Sequence, residues 1–254
     1  MKVFLVVALI FIGASSSVDL TPRVIGGTDA KLNSAPFVVS IEEQTSSGYE
    51  HYCGGSIINA NWILTAAHCI TSKALASRTV IFAGCTNIAN PEATCVKRTI
   101  ASYKNHNLYT GGVAPYDIAL IKVNQPYSFS SSVASIALPK ANSEPSGDCT
   151  LYGWGSVSTT LTPVFPVNLQ QVVLPIISMK ECEAALGSAA VNVHKTNVCA
   201  GPLSGGKGIC ASDSGGPLAV VLFALGVLAV NAEVRIGIDP HIMDQMLKLM
   251  LLLM

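Results

Sequence analysis

Charge is scarce in this sequence. Only 12% of its 254 residues are Asp, Glu, Lys or Arg, and 15 basic residues balance 15 acidic ones to a formal net charge of zero. The usual charged fraction is about 25%. Without a basic excess the chain lacks the electrostatic footprint of a nucleic-acid binder, so no nucleic-acid partner is expected. Disorder is excluded as well, because half of the residues are hydrophobic, whereas disordered chains combine low hydrophobicity with high net charge. Also missing is any uncharged apolar run of the roughly 20 residues needed to span a bilayer. The apolar stretches that do occur lie at the ends: Met1 to Gly13, Leu218 to Val230, and Met246 to Met254, with Glu233, Arg235 and Asp239 separating the last two. No internal repeat stands out. The length suits one large or two small domains with a sizeable core.

The first residues carry one positive charge at Lys2, a short apolar stretch, and then Ala14-Ser15-Ser16-Ser17. That pattern reads as a secretory signal over residues 1–17, cleaved beside small residues. It sends the chain to an extracellular, oxidising compartment in which its eight cysteines are expected to pair. Between the ends the pattern is short strands and turns. Val38-Val39-Ser40-Ile41, Thr79-Val80-Ile81-Phe82, Ile118-Ala119-Leu120-Ile121 and Val172-Val173-Leu174 are β-branched-rich runs bounded by Gly, Pro, Asn and Ser. They predict antiparallel sandwich or barrel domains. One mid-chain helix is predicted over Ser178 to Leu186, with Ser178 as cap and Glu181 at capping-box spacing. A second could open at Asp239-Pro240. The softest linker candidate is Asn124 to Ser135.

Three residues stand out chemically. Ser214 lies in Ala211-Ser212-Asp213-Ser214-Gly215-Gly216-Pro217, where two glycines suit a tight turn that exposes the hydroxyl. A serine is a poor nucleophile at neutral pH and needs a base, which in turn needs a group to hold its tautomer. On its own such a sequence is more often an ordinary loop. His68 follows small residues and precedes a cysteine in Leu64-Thr65-Ala66-Ala67-His68-Cys69. The other histidines, His51, His106, His194 and His241, read as ordinary surface or core residues. Asp117 heads the apolar strand Ile118 to Ile121, where it is either a strand-end cap or a buried carboxylate able to orient an imidazole.

Taken together, Thr-Ala-Ala-His-Cys, Asp-Ile-Ala-Leu and Ser-Asp-Ser-Gly-Gly-Pro, in the order His, Asp, Ser, strongly resemble the chymotrypsin-like (trypsin-family) serine proteases. The resemblance runs from Val24 to about Leu218. It includes Tyr52-Cys53-Gly54-Gly55-Ser56-Ile57-Ile58, Tyr152-Gly153-Trp154-Gly155 and Asn197-Val198-Cys199-Ala200-Gly201. It implies an all-β fold of two antiparallel six-stranded barrels with a C-terminal helix, the N-terminal barrel over 24–135 and the C-terminal one over 136–254. It also implies that Ser214 is the nucleophile, that His68 is the general base and then acid, and that Asp117 orients His68. The backbone amides of Ser212 and Ser214 would form the oxyanion hole, although the family usually has glycine at the first of these places. Arg23-Val24-Ile25-Gly26-Gly27 resembles the family's activation site. Cleavage after Arg23 by an activating protease would remove a pro-segment over 18–23 and free an ammonium on Val24, which pairs with Asp213 in the family. Gly208 takes the place at the base of the substrate pocket, which favours apolar or small side chains over Lys or Arg.

By the same resemblance Cys53 pairs with Cys69 and Cys182 with Cys199. Cys85 and Cys95 lack a usual counterpart but could pinch one surface loop. That loop, from Ala83 to Cys95, offers only Glu92 as a carboxylate, so no metal is expected, and the mechanism needs no cofactor. Cys149 and Cys210 are left as unpaired candidates, since their usual partners would follow Ser214, where this chain has no cysteine. From about residue 219 the tail departs from the family: the Ser-Trp-Gly segment that walls the pocket is absent. The tail is either the product of a shifted reading frame or alternative exon, which leaves the second barrel incomplete, or a divergent end that still supplies the last strands. The expected protein is a secreted, monomeric serine endopeptidase made as a zymogen, acting on protein or peptide substrates and open to protein inhibitors. The alternative is a catalytically impaired or non-catalytic homologue.

Overall fold

The computed structural model of the chain describes residues 26–238, apart from 113, 141–142, 159–161, 188–192, 195–196, 205–211, 221–222 and 229–234; over 223–228 and 235–238 the backbone alone is described. The signal and pro-segment, Arg23, Val24, Gly208, Cys210, His241 and the helix expected from Asp239-Pro240 therefore lie outside the described residues.

The chain is mostly β. After the two-residue strand β1 (Thr28–Asp29) come β2 (Val38–Thr45), β3 (Gly48–Asn59), β4 (Trp62–Thr65), β5 (Thr79–Ala83), β6 (Val96–Asn105) and β7 (Ala119–Val123). Strands β2 to β7 form a closed antiparallel barrel in the order β2-β3-β4-β7-β6-β5. Its interior is filled by branched side chains such as Ile41, Ile57, Ile63, Ile81 and Ile121, each with 0% exposure. Burying a side chain of this size stabilises the fold by about 1.5–3 kcal/mol. The β-branched runs at 38–41 and 79–82 fall in β2 and β5, and most of the run at 118–121 falls in β7.

A second, seven-stranded antiparallel sheet has the order β1-β9-β10-β13-β12-β11-β8 and contains β8 (Asp148–Gly153), β9 (Gln170–Ile177), β10 (Asn197–Ala200), β11 (Pro217–Val220), β12 (Phe223–Leu228) and β13 (Arg235–Ile238). Because β8 also pairs with β9, six of these strands follow one another around a ring. The ladders β9–β10 and β12–β13 hold by only two residue pairs each, so this barrel is less completely joined than the first. β12 and β13 belong to the tail beyond residue 219, which thus supplies the last strands of the sheet.

Among the described residues two short α-helices decorate the barrels. α1 (Lys73–Arg78) is capped by Ser72, whose side chain accepts from the Leu75 amide. α2 (Met179–Leu186) begins with the capping box read from the sequence: the Ser178 hydroxyl accepts from the Glu181 amide at 3.2 Å, and the Glu181 carboxylate accepts from the Ser178 amide at 2.9 Å. The stretch from Asn124 to Ser135 contains no regular element, yet it is tied to the first barrel. Tyr127 and Val133 are buried, and the Tyr127 amide donates to the Ala60 carbonyl at 2.8 Å.

Candidate active site

The histidine is placed by a single 3-10 turn, Ala67–Cys69, at the end of β4. Ala66 and Ala67 are buried, and their small side chains let the turn sit flat on the barrel. Asp117 is wholly buried and spends both carboxylate oxygens on His68. Oδ2 lies 2.6 Å from the ring Nδ1, and Oδ1 accepts from the His68 backbone amide at 2.8 Å. A carboxylate can only accept, so Nδ1 carries the hydrogen and the Nε2 lone pair is left available as a base. The backbone just before Asp117 is held in an unfavourable shape: Tyr116 has φ 64°. Left-handed backbone costs a non-glycine residue roughly 1–2 kcal/mol. It is supported here by the stacking of the Tyr116 ring on His106, with centroids 4.9 Å apart.

Ser214 comes from the other barrel and is drawn to the same place. Its carbonyl accepts from the Gly54 amide of β3 at 2.8 Å, and Cys69 Sγ lies 3.7 Å from that same oxygen. Cys69 is joined to Cys53 by a disulfide. The two sulfurs and a ring nitrogen of His68 lie within 4.8 Å of one another. With both sulfurs spent in the bridge, the group has no thiolate to offer a metal. Ser214 and His68 thus flank one disulfide at the junction of the barrels. Gly215 is required there on two counts. It has φ 78°, and a Cβ would stand 2.2 Å from Thr65 Oγ1 and 2.7 Å from the Gly54 carbonyl oxygen.

The residues before the serine are equally constrained. Asp213 is 0% exposed, and its Oδ1 accepts from the Gly155 amide at 2.9 Å. Ser212 has φ 72°, the left-handed region that glycine adopts freely. Substituting glycine there relieves that strain, so Ser212→Gly is expected to raise stability to denaturation by about 1 kcal/mol, measured by urea unfolding. A midpoint equal to or below that of the unsubstituted chain would show that the strain is not felt.

Of the remaining cysteines, Cys182–Cys199 and Cys85–Cys95 form disulfides. The loop closed by the latter folds around Glu92, which accepts from the Thr86 and Asn87 amides at 3.0 and 3.2 Å. Cys149 is free and buried. Burial pushes its thiol up to about 12, which removes the reactive thiolate at physiological pH.

Sequence reasoning passed over His51. Its Nε2 lies 3.0 Å from the Ser212 carbonyl oxygen, its Nδ1 lies 2.7 Å from Ser40 Oγ, and Ser40 Oγ lies 2.6 Å from Glu42 Oε1. No sequence signal marks it, because His51 is distant from Ser212 along the chain and lies on an ordinary-looking strand. A cavity of about 400 Å³ opens beside it, lined among others by Glu50, Tyr52, Trp154, Phe165 and Ser212. A larger one of about 610 Å³, between α1 and β6, touches none of the residues around Ser214.

Residues 24–236 match the model of the Trypsin family, and the chain belongs to that family. The matched span carries past Leu218 into β13. The venom peptide isomerase heavy chain of Agelenopsis aperta is 35% identical over 223 residues, 85% of this chain and 90% of its own. Serine protease 1 of Canis lupus familiaris is 35% identical over 246 residues, 95% of this chain and 94% of its own. Anionic trypsin of the same species is 33% identical over 218 residues, 86% and 83% respectively. The chain is a serine endopeptidase, a hydrolase acting on proteins or peptides.

Proposed function

We propose that the chain is a secreted endopeptidase made as a zymogen, which hydrolyses peptide bonds after apolar or small residues through an acyl-enzyme. The observation that carries the reading is the two-point grip of the buried Asp117 on His68 beside the disulfide that also touches Ser214. In this reading His68 Nε2 takes the proton of Ser214 Oγ as the hydroxyl attacks the scissile carbonyl. The amides of Ser212 and Ser214 receive the developing oxyanion, and His68 returns the proton to the leaving amine. Water then releases the acyl group by the same route. Asp117 stabilises the imidazolium formed in each half without itself being protonated.

Cleavage after Arg23 would give Val24 an ammonium, largely charged at neutral pH, with Asp213 as its partner. A buried carboxylate is tolerable when paired, so this pairing can set the loop carrying Ser212 and Ser214. Gly208 in place of an acidic residue supports the preference for uncharged side chains. Secretion rests on the pattern of residues 1–17; among the described residues no helix is long and apolar enough to cross a membrane. Cleaving the chain after Arg23 and offering ester substrates is the test. A burst of product preceding steady turnover, with apolar or small side chains before the ester and Val24 as the new N-terminus, is expected. Turnover only of Lys or Arg substrates would contradict the preference, and equal turnover before cleavage would contradict the zymogen.

A further inference from the structure

We propose that the outer edge of β6, over residues 100–105, is a docking edge on which an acidic, extended segment of a protein partner adds as a further strand. The inference does not depend on the reading of His68, Asp117 and Ser214.

The ladders of the first barrel leave that edge open. β6 pairs with β5 only over 96–99, whereas over 100–105 its partner is β7 alone. β5 begins at Thr79, and the chain just before it is the helix α1 rather than more strand. Among the described residues no backbone hydrogen bond joins α1 to β6. The cavity of about 610 Å³ separates them instead, lined by Lys73, Ala76 and Ser77 of α1 and by every residue of 100–105. Side chains of a strand alternate between its two faces, so a cavity over one face would be lined by every second residue. An unbroken run places it against the backbone edge.

Hydrogen-bond parity shows what the edge offers. The His106 amide donates to the Ile118 carbonyl at 3.0 Å, so the His106 backbone faces β7. In an antiparallel ladder successive residues turn their N–H and C=O to opposite sides. Lys104 therefore also faces β7, while Asn105 and Tyr103 turn their backbone groups to the cavity. An open row of this kind is a template for strand addition.

The walls set the chemistry of the occupant. Lys73 stands on the helix side and Lys104 on the strand side, and among the described residues no Asp or Glu lines the cavity. Neither lysine belongs to the ion pairs His68–Asp117 and Arg78–Glu43. Ile100, Tyr103 and Ala76 pack against the barrel core, while Ser102 and Lys104 share the opposite face by strand periodicity. A segment with carboxylates at alternate positions and apolar residues between them matches both faces. Edge lysines also disfavour neutral or basic strands, so the same two charges select the acidic one.

The test uses the full chain carrying Ser214→Ala, so that the probe is not consumed, and a capped peptide of alternating Glu and Val. About eight residues span the roughly 20 Å of edge at about 3.3 Å per residue. Titration calorimetry should show saturable binding, weakened about tenfold or more by Lys104→Glu and by Lys73→Glu, and weakened by high salt. Amide hydrogen exchange at Tyr103 and Asn105 should slow on binding, while Lys104, already bonded to β7, should change little. A peptide of alternating Lys and Val, and a heparin octasaccharide, should leave all three amides unchanged. Absence of saturable binding, binding indifferent to both charge reversals, or binding without protection at Tyr103 and Asn105 would each overturn the proposal. So would protection of these amides by heparin and not by the acidic peptide.

Discussion

Replacing Asp117 with asparagine is expected to lower kcat by about 10,000-fold, the size this substitution has in serine-protease triads, with KM little changed. The carboxylate accepts from two donors, the His68 amide and the ring N–H, at 2.8 and 2.6 Å. An amide has one accepting oxygen and an NH₂ group, so it satisfies one donor and confronts the other. If the oxygen stays on the backbone amide, the NH₂ faces Nδ1 and forces the hydrogen onto Nε2. The lone pair needed to activate Ser214 is then gone. The site is buried, so water cannot repair the mismatch. Steady-state kinetics on the cleaved protein, with thermal melting to show that it folds, provides the check. A loss smaller than tenfold in a folded variant would mean that Asp117 does not set the tautomer.

The largest structural effect is expected from Gly155→Ala. A Cβ at Gly155 would stand 2.3 Å from Asp213 Cγ and 2.4 and 2.5 Å from its two oxygens, while one at Gly153 would stand 2.1 Å from Oδ1. Asp213 is fully buried between these two glycines and cannot swing to solvent. Adding the methyl group must displace the carboxylate from the Gly155 amide and with it the backbone leading to Ser214. Overpacking together with a badly satisfied buried charge costs roughly 3 kcal/mol or more. For a chain of this size that is a fall in Tm of about 6–12 °C, accompanied by loss of turnover. A melting point within about 2 °C of the unsubstituted protein would show that this pocket is looser than described.

The fragments around His68, Asp117 and Ser214 stand out in the sequence because each is local: a small-residue turn before His68, an apolar strand after Asp117, and a glycine pair after Ser214. The strands at Val38 and Thr79 and the cap at Ser178 were legible for the same reason, since propensity and spacing act over a few residues. What was not legible depends on pairing between distant segments. His51 reads as an unremarkable strand residue until the bulge at Tyr52 turns it toward Ser212. The tail from about residue 219 lacks the familiar segment that walls the pocket, yet its backbone supplies β12 and β13, because antiparallel pairing needs backbone groups in register more than particular side chains. Asn124 to Ser135, a linker by composition, proved to be pinned by Tyr127 and Val133, two apolar residues within a polar stretch.

A serine-directed phosphonate, offered to the folded chain after cleavage at Arg23, interrogates the proposed nucleophile directly. One adduct per chain is expected, on Ser214, with none on Ser214→Ala protein and strongly slowed labelling in Asp117→Asn. Correctly cleaved and folded protein that takes no label, or labels equally well with Ser214 replaced, would contradict the assignment of His68, Asp117 and Ser214 as a working triad.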